Sequence, residues 1–246
     1  HNTSNRRTGI FFRISDRIIY GRYLKIVAIT EEIKTILISK LKCKSGKISV
    51  IPNGIDLTEI KNAKALDRTE FKLSGQHRIL LQVSSFTAQK DPQTPIRSLV
   101  QLPKDHVLLL VGDGETKAAC KRLVTELGLD KRVLFLGVRL DVPSLLKTAD
   151  IVILSSHFEG LSLSSIEGMA SGRPFIASEV PGLSKLVRGA GILFPKGDAE
   201  YLASEITKLL SDADYHDATV RSCLKRAEEY SLDRMLQEHL TLYNTL

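Results

Sequence analysis

From Arg78 onward, short apolar runs alternate with stretches of helical length. The runs are Ile79 to Val83, Val107 to Val111, Val133 to Leu136, Ile151 to Leu154, Pro174 to Ala177 and Gly191 to Phe194. Each is rich in β-branched or bulky apolar residues and too short to be a helix that buries one face. Between them lie helical patterns such as Lys117 to Leu127 and Val142 to Lys147. Such alternation predicts an α/β fold with a parallel sheet and helices on both faces. Sheets of this kind take ligands beyond the carboxyl ends of their strands, where the strand order reverses.

The segments before and after read differently. Lys25 to Thr30 is expected to be a short buried strand, Glu31 to Leu41 a helix, and Ile48 to Ile51 a second strand ending at the turn signal Pro52-Asn53-Gly54. Asp56 to Gln76 is polar and irregular, a linker or helical connection. After Asp198 the chain is nearly all helical. No repeat or low-complexity tract interrupts it.

The 246 residues suffice for one large domain or one domain with a fragment of a second. Lysine and arginine exceed aspartate and glutamate, 35 to 28, giving +7. That excess suits nucleic acid, an anionic membrane surface or a phosphorylated small molecule. Without a basic, aromatic-interleaved motif, nucleic acid is not an expected partner. Cys43, Cys120 and Cys223 are odd in number and far apart, so the chain is expected in a reducing, cytoplasmic compartment without a metal site. Asn2-Thr3-Ser4 is then a coincidental glycosylation pattern. No apolar run approaches the roughly 20 residues needed to span a bilayer. The start at His1, without methionine or a signal region, reads as a cut from something longer.

The stretch most informative about chemistry runs from Ser155 to Pro174, directly after the buried run Ile151 to Leu154. It passes through a glycine-containing loop and opens a helix near Ser162 to Ser165. Amides exposed at a helix start, among the small residues Gly160, Ser162, Ser164 and Ser165, make an anion site that needs no lysine. Glu159 and Glu167 frame the loop; carboxylates suit hydroxyl groups rather than phosphate. Either glutamate alone reads as a solvated charge, but the two together after a buried strand favour a ligand site. Other patterns are set aside. Gly112-Asp-Gly-Glu-Thr-Lys117 lacks the third glycine of a dinucleotide fingerprint, and Gly160-Leu-Ser-Leu-Ser164 lacks the closing glycine of a nucleophile elbow. Asp212-Ala-Asp214 reads as a solvated turn rather than a metal-holding triplet, and His157 as a structural or exposed loop residue.

Glu159 and Glu167, with seven residues between them, resemble the E-x7-E signature of the GT4-type retaining glycosyltransferases, a family with the GT-B architecture of two Rossmann-like domains. Other segments resemble the family in order: Ser49 to Asp56 its interdomain junction, Val83 to Asp91 its first C-terminal-domain strand and phosphate loop, and Val111 to Gly114 and Leu134 to Gly137 the later strand ends where the base is held. The resemblance covers nearly the whole chain. It implies a remnant of an acceptor-side domain over 1–52, a linker over 53–76, and a nucleotide-sugar-binding domain over 77–246.

Roles follow from the resemblance. Lys90 would neutralise the diphosphate, a task that suits a compact point charge. Glu159 would hold the transferred sugar and Glu167 the ribose. Amides of Gly160, Leu161, Ser162 and Ser164, with Ser165, would meet the phosphates. Residues around Gly137 and Val138 would border the base, and Arg139, Gly112, Asn53 and Gly54 are further donor-binding candidates. Where many members carry an arginine this chain has Ser85, and Arg139 is a candidate substitute cation. His1 stands near where the family places a histidine beside the reacting sugar; a cloning remnant is the alternative. The implied reaction moves a sugar, from a UDP-sugar by the family's commonest usage, to a glycan or lipid-linked acceptor hydroxyl with retention, in polysaccharide biosynthesis. No metal or other cofactor is required on this reading. The basic residues Arg6, Arg7, Arg13, Arg17 and Arg22 suggest peripheral contact with the inner membrane face. The rivals are a fragment that binds the nucleotide sugar without transfer, and a GT-B nucleotide-sugar epimerase or glycogen-like synthase.

Overall fold

A computed structural model describes Asp16 and residues 18–246. The chain forms two compact units, one made of residues up to Asp56 together with Tyr230–Leu246, the other of Leu57–Glu229.

In the first unit, β1 (Ile26–Ala28) and β2 (Ile48–Val50) pair in parallel, with Ile26 opposite Ile48. Between them runs α1 (Glu31–Leu41). Thr30 starts this helix: its side-chain oxygen accepts from the Ile33 amide at 3.2 Å, and Glu31 and Glu32 complement the positive end of the helix dipole. Ile26, Ala28, Leu37, Leu41 and Ile48 form a small core.

The second unit opens with α2 (Leu57–Asn62) and a 3₁₀ turn over Arg68–Phe71, so the polar stretch expected as a linker or helical connection carries two short helical pieces. There follow β3 (Arg78–Val83), α3 (Gln93–Ser98), β4 (His106–Val111), α4 (Lys117–Glu126), β5 (Val133–Gly137), α5 (Val142–Thr148), β6 (Ile151–Leu154), α6 (Leu163–Ala170), β7 (Phe175–Glu179), α7 (Leu183–Val187), β8 (Ile192–Pro195), α8 (Ala199–Ser211) and α9 (Ala213–Glu228). The last helix, α10 (Leu232–Tyr243), belongs to the first unit, where the Leu232 amide donates to the Ile55 carbonyl at 2.8 Å.

The six long-unit strands form one parallel sheet in the order β5-β4-β3-β6-β7-β8. Because side chains alternate across a strand, each strand buries two sets of residues. Leu80, Leu108, Leu110, Ile151, Ile153, Ile176 and Phe194 share one cluster with Ile96 of α3, Leu123 of α4, and Leu202 and Ile206 of α8. The intervening residues, among them Ile79, Leu81, Val152 and Phe175, are equally buried on the face where α5 and α6 pack. Each such side chain contributes about 1.5–3 kcal/mol. The two faces explain why these runs are continuously apolar rather than alternating. The start of β3 is tied to β6 by Asp150, which accepts from the Ile79 amide at 2.7 Å and from the Arg68 guanidinium at 3.2 Å.

The Asp212-Ala-Asp214 triplet, read as a turn, begins a helix instead. Asp212 accepts from the Tyr215 amide at 2.9 Å and caps α9, while Asp214 sits in its first turn. Among the described residues, no helix is long and apolar enough to cross a membrane.

Candidate functional site

β3 and β6 lie side by side, but the chain winds outward from them in opposite directions, so the strand order reverses between them. The loops leaving their carboxyl ends, residues 84–91 and 155–162, therefore flank the place where such sheets hold ligands. Backbone hydrogen bonds fasten one loop to the other. The Asp91 amide donates to the Ser155 carbonyl at 3.1 Å and the His157 amide to the Gln89 carbonyl at 2.8 Å. The Ser156 hydroxyl adds a bond to the same Gln89 carbonyl at 3.0 Å.

Below them, Gln82 is buried at the end of β3. Its side chain accepts from the Ser155 amide at 3.1 Å and donates to the Ser84 hydroxyl at 3.0 Å. A buried amide satisfied at both ends fixes the start of both loops. These contacts put the Lys90 ammonium against the Glu159 carboxylate, an ion pair whose side chains are only 13% and 7% exposed. At that burial the pair is held by geometry as well as charge, because neither partner keeps much contact with water.

Gly182 supports the same loop from the β7–α7 connection. Its φ is +86°, and a Cβ there would lie 2.3 Å from the Glu159 carbonyl oxygen and 2.6 Å from that of Gly160. Only glycine permits both the backbone angle and the approach.

α6 begins beside Glu159. Ser162 caps it, its hydroxyl facing the Ser165 amide at 3.4 Å and the Ser164 hydroxyl at 3.2 Å. The amides of Leu163 and Ser164 belong to the first turn, which has no intrahelical acceptors. The fully buried hydroxyls of Ser155 and Ser165 also have no hydrogen-bond partner. This stretch thus presents donors and a positive dipole end, as an anion requires. A cavity of about 260 Å³ opens beside Lys90, lined also by Asp91, Thr116, Cys120 and His157.

Glu167 lies in the second turn of α6, and its carboxyl is held above the usual range, mainly by burial and secondarily by Glu59. A raised folded-state value means the ionised side chain costs stability above that value, and the cost fades as pH falls towards the ordinary carboxylate range. Glu167→Gln is therefore expected to stabilise the chain at pH 7 by on the order of 1 kcal/mol. The gain should vanish at about pH 4. Denaturant titrations at the two pH values check this. A loss of stability at pH 7 would mean the carboxylate is a structural anchor.

The outer strand ends adjoin the same loops. The Gly112 amide donates to the Gly137 carbonyl at 2.7 Å, and the Ser84 amide to the Val111 carbonyl at 3.0 Å. Gly112, at φ +130°, would place a Cβ 2.1 Å from the Ser84 carbonyl oxygen. Ser85, Gly112 and Gly137 are thus neighbours, and Val138 beyond them is 74% exposed. Arg139 is engaged elsewhere: its guanidinium makes a two-pronged pair with Asp141, at 2.7 and 2.5 Å, which raises its own pKa and lowers that of Asp141. The candidate substitute for the missing arginine is therefore already neutralised by a carboxylate two residues away.

Lys90, Glu159, Gly160, Leu161, Ser162, Ser164, Ser165 and Glu167 are gathered on two fastened loops and one helix. Asn53 and Gly54 belong to the first unit, where Gly54 packs on the backbone of Ser231 and Leu232. His1, Arg6, Arg7, Arg13 and Arg17 lie outside the described residues, and Arg22 is exposed. Gln82, Gln89 and Gly182 were not read from the sequence. Of these only Gly182, following Val180-Pro181, carried a local turn signal.

Comparison with known proteins decides the family. Residues 64–228 match the model described as glycosyl transferases group 1, and residues 1–59 match that of glycosyltransferase family 4. The chain belongs to the glycosyl transferases group 1. The group 1 match takes in all the second-unit candidates, while Asn53 and Gly54 fall in the family 4 segment. The UDP-Gal:alpha-D-GlcNAc-diphosphoundecaprenol alpha-1,3-galactosyltransferase of Escherichia coli is 31% identical over 76% of this chain and 51% of its own length. The N-acetyl-alpha-D-glucosaminyl L-malate synthase of Bacillus anthracis is 30% identical over 76% of this chain and 49% of its own. The group 1 chain thus spans about half the length of these curated relatives. Anabaena Alr3699/HepE, solved in complex with UDP, aligns with a TM-score of 0.86 at 22% identity over 99% of this chain and 70% of its own. That likeness establishes the fold, a GT-B glycosyltransferase architecture with a parallel sheet flanked by helices.

Proposed function

We propose that this chain is the donor-binding part of a glycosyltransferase that moves a sugar from a nucleotide-diphosphate sugar, with UDP as carrier, to an acceptor hydroxyl with retention. The observation that carries this reading is the joining of Lys90 and Glu159 beside the capped start of α6, at the switch point of the sheet. One cation, one carboxylate and a set of free amides suit a diphosphate with a sugar on one side. The E. coli relative's name specifies UDP-Gal, and HepE was solved with UDP and with UDP-glucose. Both support a uridine carrier here.

On this reading Lys90 and the amides of Gly160 to Ser164 stabilise the departing diphosphate by preorganised charge. Glu159 accepts hydrogen bonds from the sugar and Glu167 from the ribose hydroxyls. Gly112, Gly137, Val138 and Arg139 border the base, and Ser165 and Ser85 are further donor-binding residues. By the family resemblance, Asn53 and Gly54 are further donor-binding candidates and His1 a catalytic one. No metal is invoked, because lysine and helix amides supply the charge. The acceptor is a glycan or lipid-linked precursor in polysaccharide biosynthesis, met in the cytoplasm at the inner membrane face.

Incubation of the full-length protein with UDP-[14C]glucose or UDP-[14C]galactose and cell-envelope acceptor, followed by product separation, tests this. Label in a glycan or lipid-linked product is expected. Interconversion of the two nucleotide sugars would establish an epimerase, and donor retention without product a binding module.

A further inference from the structure

Glu159 is gripped from both sides by consecutive residues of one loop. Lys90 pairs with Oε1, while the side-chain amide of Gln89 donates to Oε2 at 3.2 Å and to the Phe158 carbonyl at 3.0 Å. The Gln89 backbone carbonyl accepts from the His157 amide and the Ser156 hydroxyl, so the glutamine itself is anchored before its side chain reaches the carboxylate. A carboxylate whose rotation is set by one lysine alone can pivot about that contact. A second donor on the other oxygen fixes its plane, and the lone pairs left over then point in set directions.

We propose that Gln89 is a positioning residue for Glu159, fixing the plane in which that carboxylate meets the hydroxyls of the transferred sugar and so contributing to discrimination among donors. This rests on the donor-site reading above. The assignment also requires an amide at this position. An alkyl side chain of the same length fills the space but donates nothing. A carboxylate of the same shape sets like charge against like, with Lys90 the only cation pairing with Glu159 among the described residues.

The test compares two ligands on three proteins. UDP and UDP-glucose are titrated by calorimetry into the wild-type chain, Gln89→Met and Gln89→Glu, each first confirmed as folded by circular dichroism. In the full-length enzyme, KM and kcat for the same donor are measured for each form. Because the sugar alone meets Glu159, Gln89→Met is expected to weaken UDP-glucose roughly tenfold while leaving UDP within about twofold. Gln89→Glu should weaken UDP-glucose further than Gln89→Met despite its closer shape. In kinetics the loss should fall on kcat as well as KM, since a misaligned sugar reacts poorly even when bound. Equal weakening of UDP and UDP-glucose would show a merely structural role and overturn the assignment. So would unchanged UDP-glucose binding in both variants. If the wild-type chain binds neither ligand, the donor-site reading itself fails, a result separable from the other two.

Discussion

Lys90→Ala is expected to destabilise the chain by about 3 kcal/mol, well beyond the usual effect of losing a loop lysine. Loop lysines are normally exposed, and their ion pairs contribute little. Here the Glu159 side chain is 7% exposed, so removing its partner leaves a charge with the Gln89 amide and little water to solvate it. Breaking a buried pair costs more than the pair contributes, because desolvation has already been incurred. Lys90→Met combined with Glu159→Gln should therefore recover most of the lost stability, since neither residue then carries a buried charge. Urea denaturation of Lys90→Met, Glu159→Gln and the double variant gives the coupling directly. Additive losses would mean that the two side chains do not depend on one another.

The second large effect is expected at Gly182, far in sequence from both loops. Gly182→Ala should cost about 3 kcal/mol, combining a backbone angle unsuited to an L side chain with a Cβ forced to 2.3 Å from the Glu159 carbonyl. The Glu159–Gly160 loop must retreat to make room, and donor affinity should fall by about tenfold with it. Gly189→Ala provides the control. Its φ of +76° is also one that L side chains rarely adopt, but no atom lies within 4 Å of the added Cβ. It should lose about 1 kcal/mol, with donor affinity unchanged. Similar losses at the two glycines would show that backbone conformation alone, and not support of the loop, explains Gly182.

The parallel sheet was legible in the sequence because burial on both faces leaves unbroken apolar runs. Ile151 to Leu154 coincides with β6, and Lys117 to Leu127 overshoots α4 by one residue. α3 and α7 escaped notice because six and five residues are too few to display a helical period. Asp212 shows a different limit: an aspartate before a helix and an aspartate in a turn look alike until the following amides are placed. The positions of Glu159 and Glu167 were readable because they share one continuous stretch. Gln89 was not, since its contact with Glu159 depends on two loops about 70 residues apart being fastened together. The occupied state of Arg139 was equally hidden, although its partner Asp141 is two residues away. Spacing alone does not say whether two charges on a bend face each other.

The most direct measurement is calorimetric titration of the chain with UDP, GDP and ADP, repeated on Lys90→Met and Glu167→Gln. Binding of UDP in preference to the other two, weakened about tenfold by each substitution, is the predicted result. Binding of UDP undiminished in both variants, or binding of none of the three, would contradict a donor site built on Lys90, Glu159 and the start of α6.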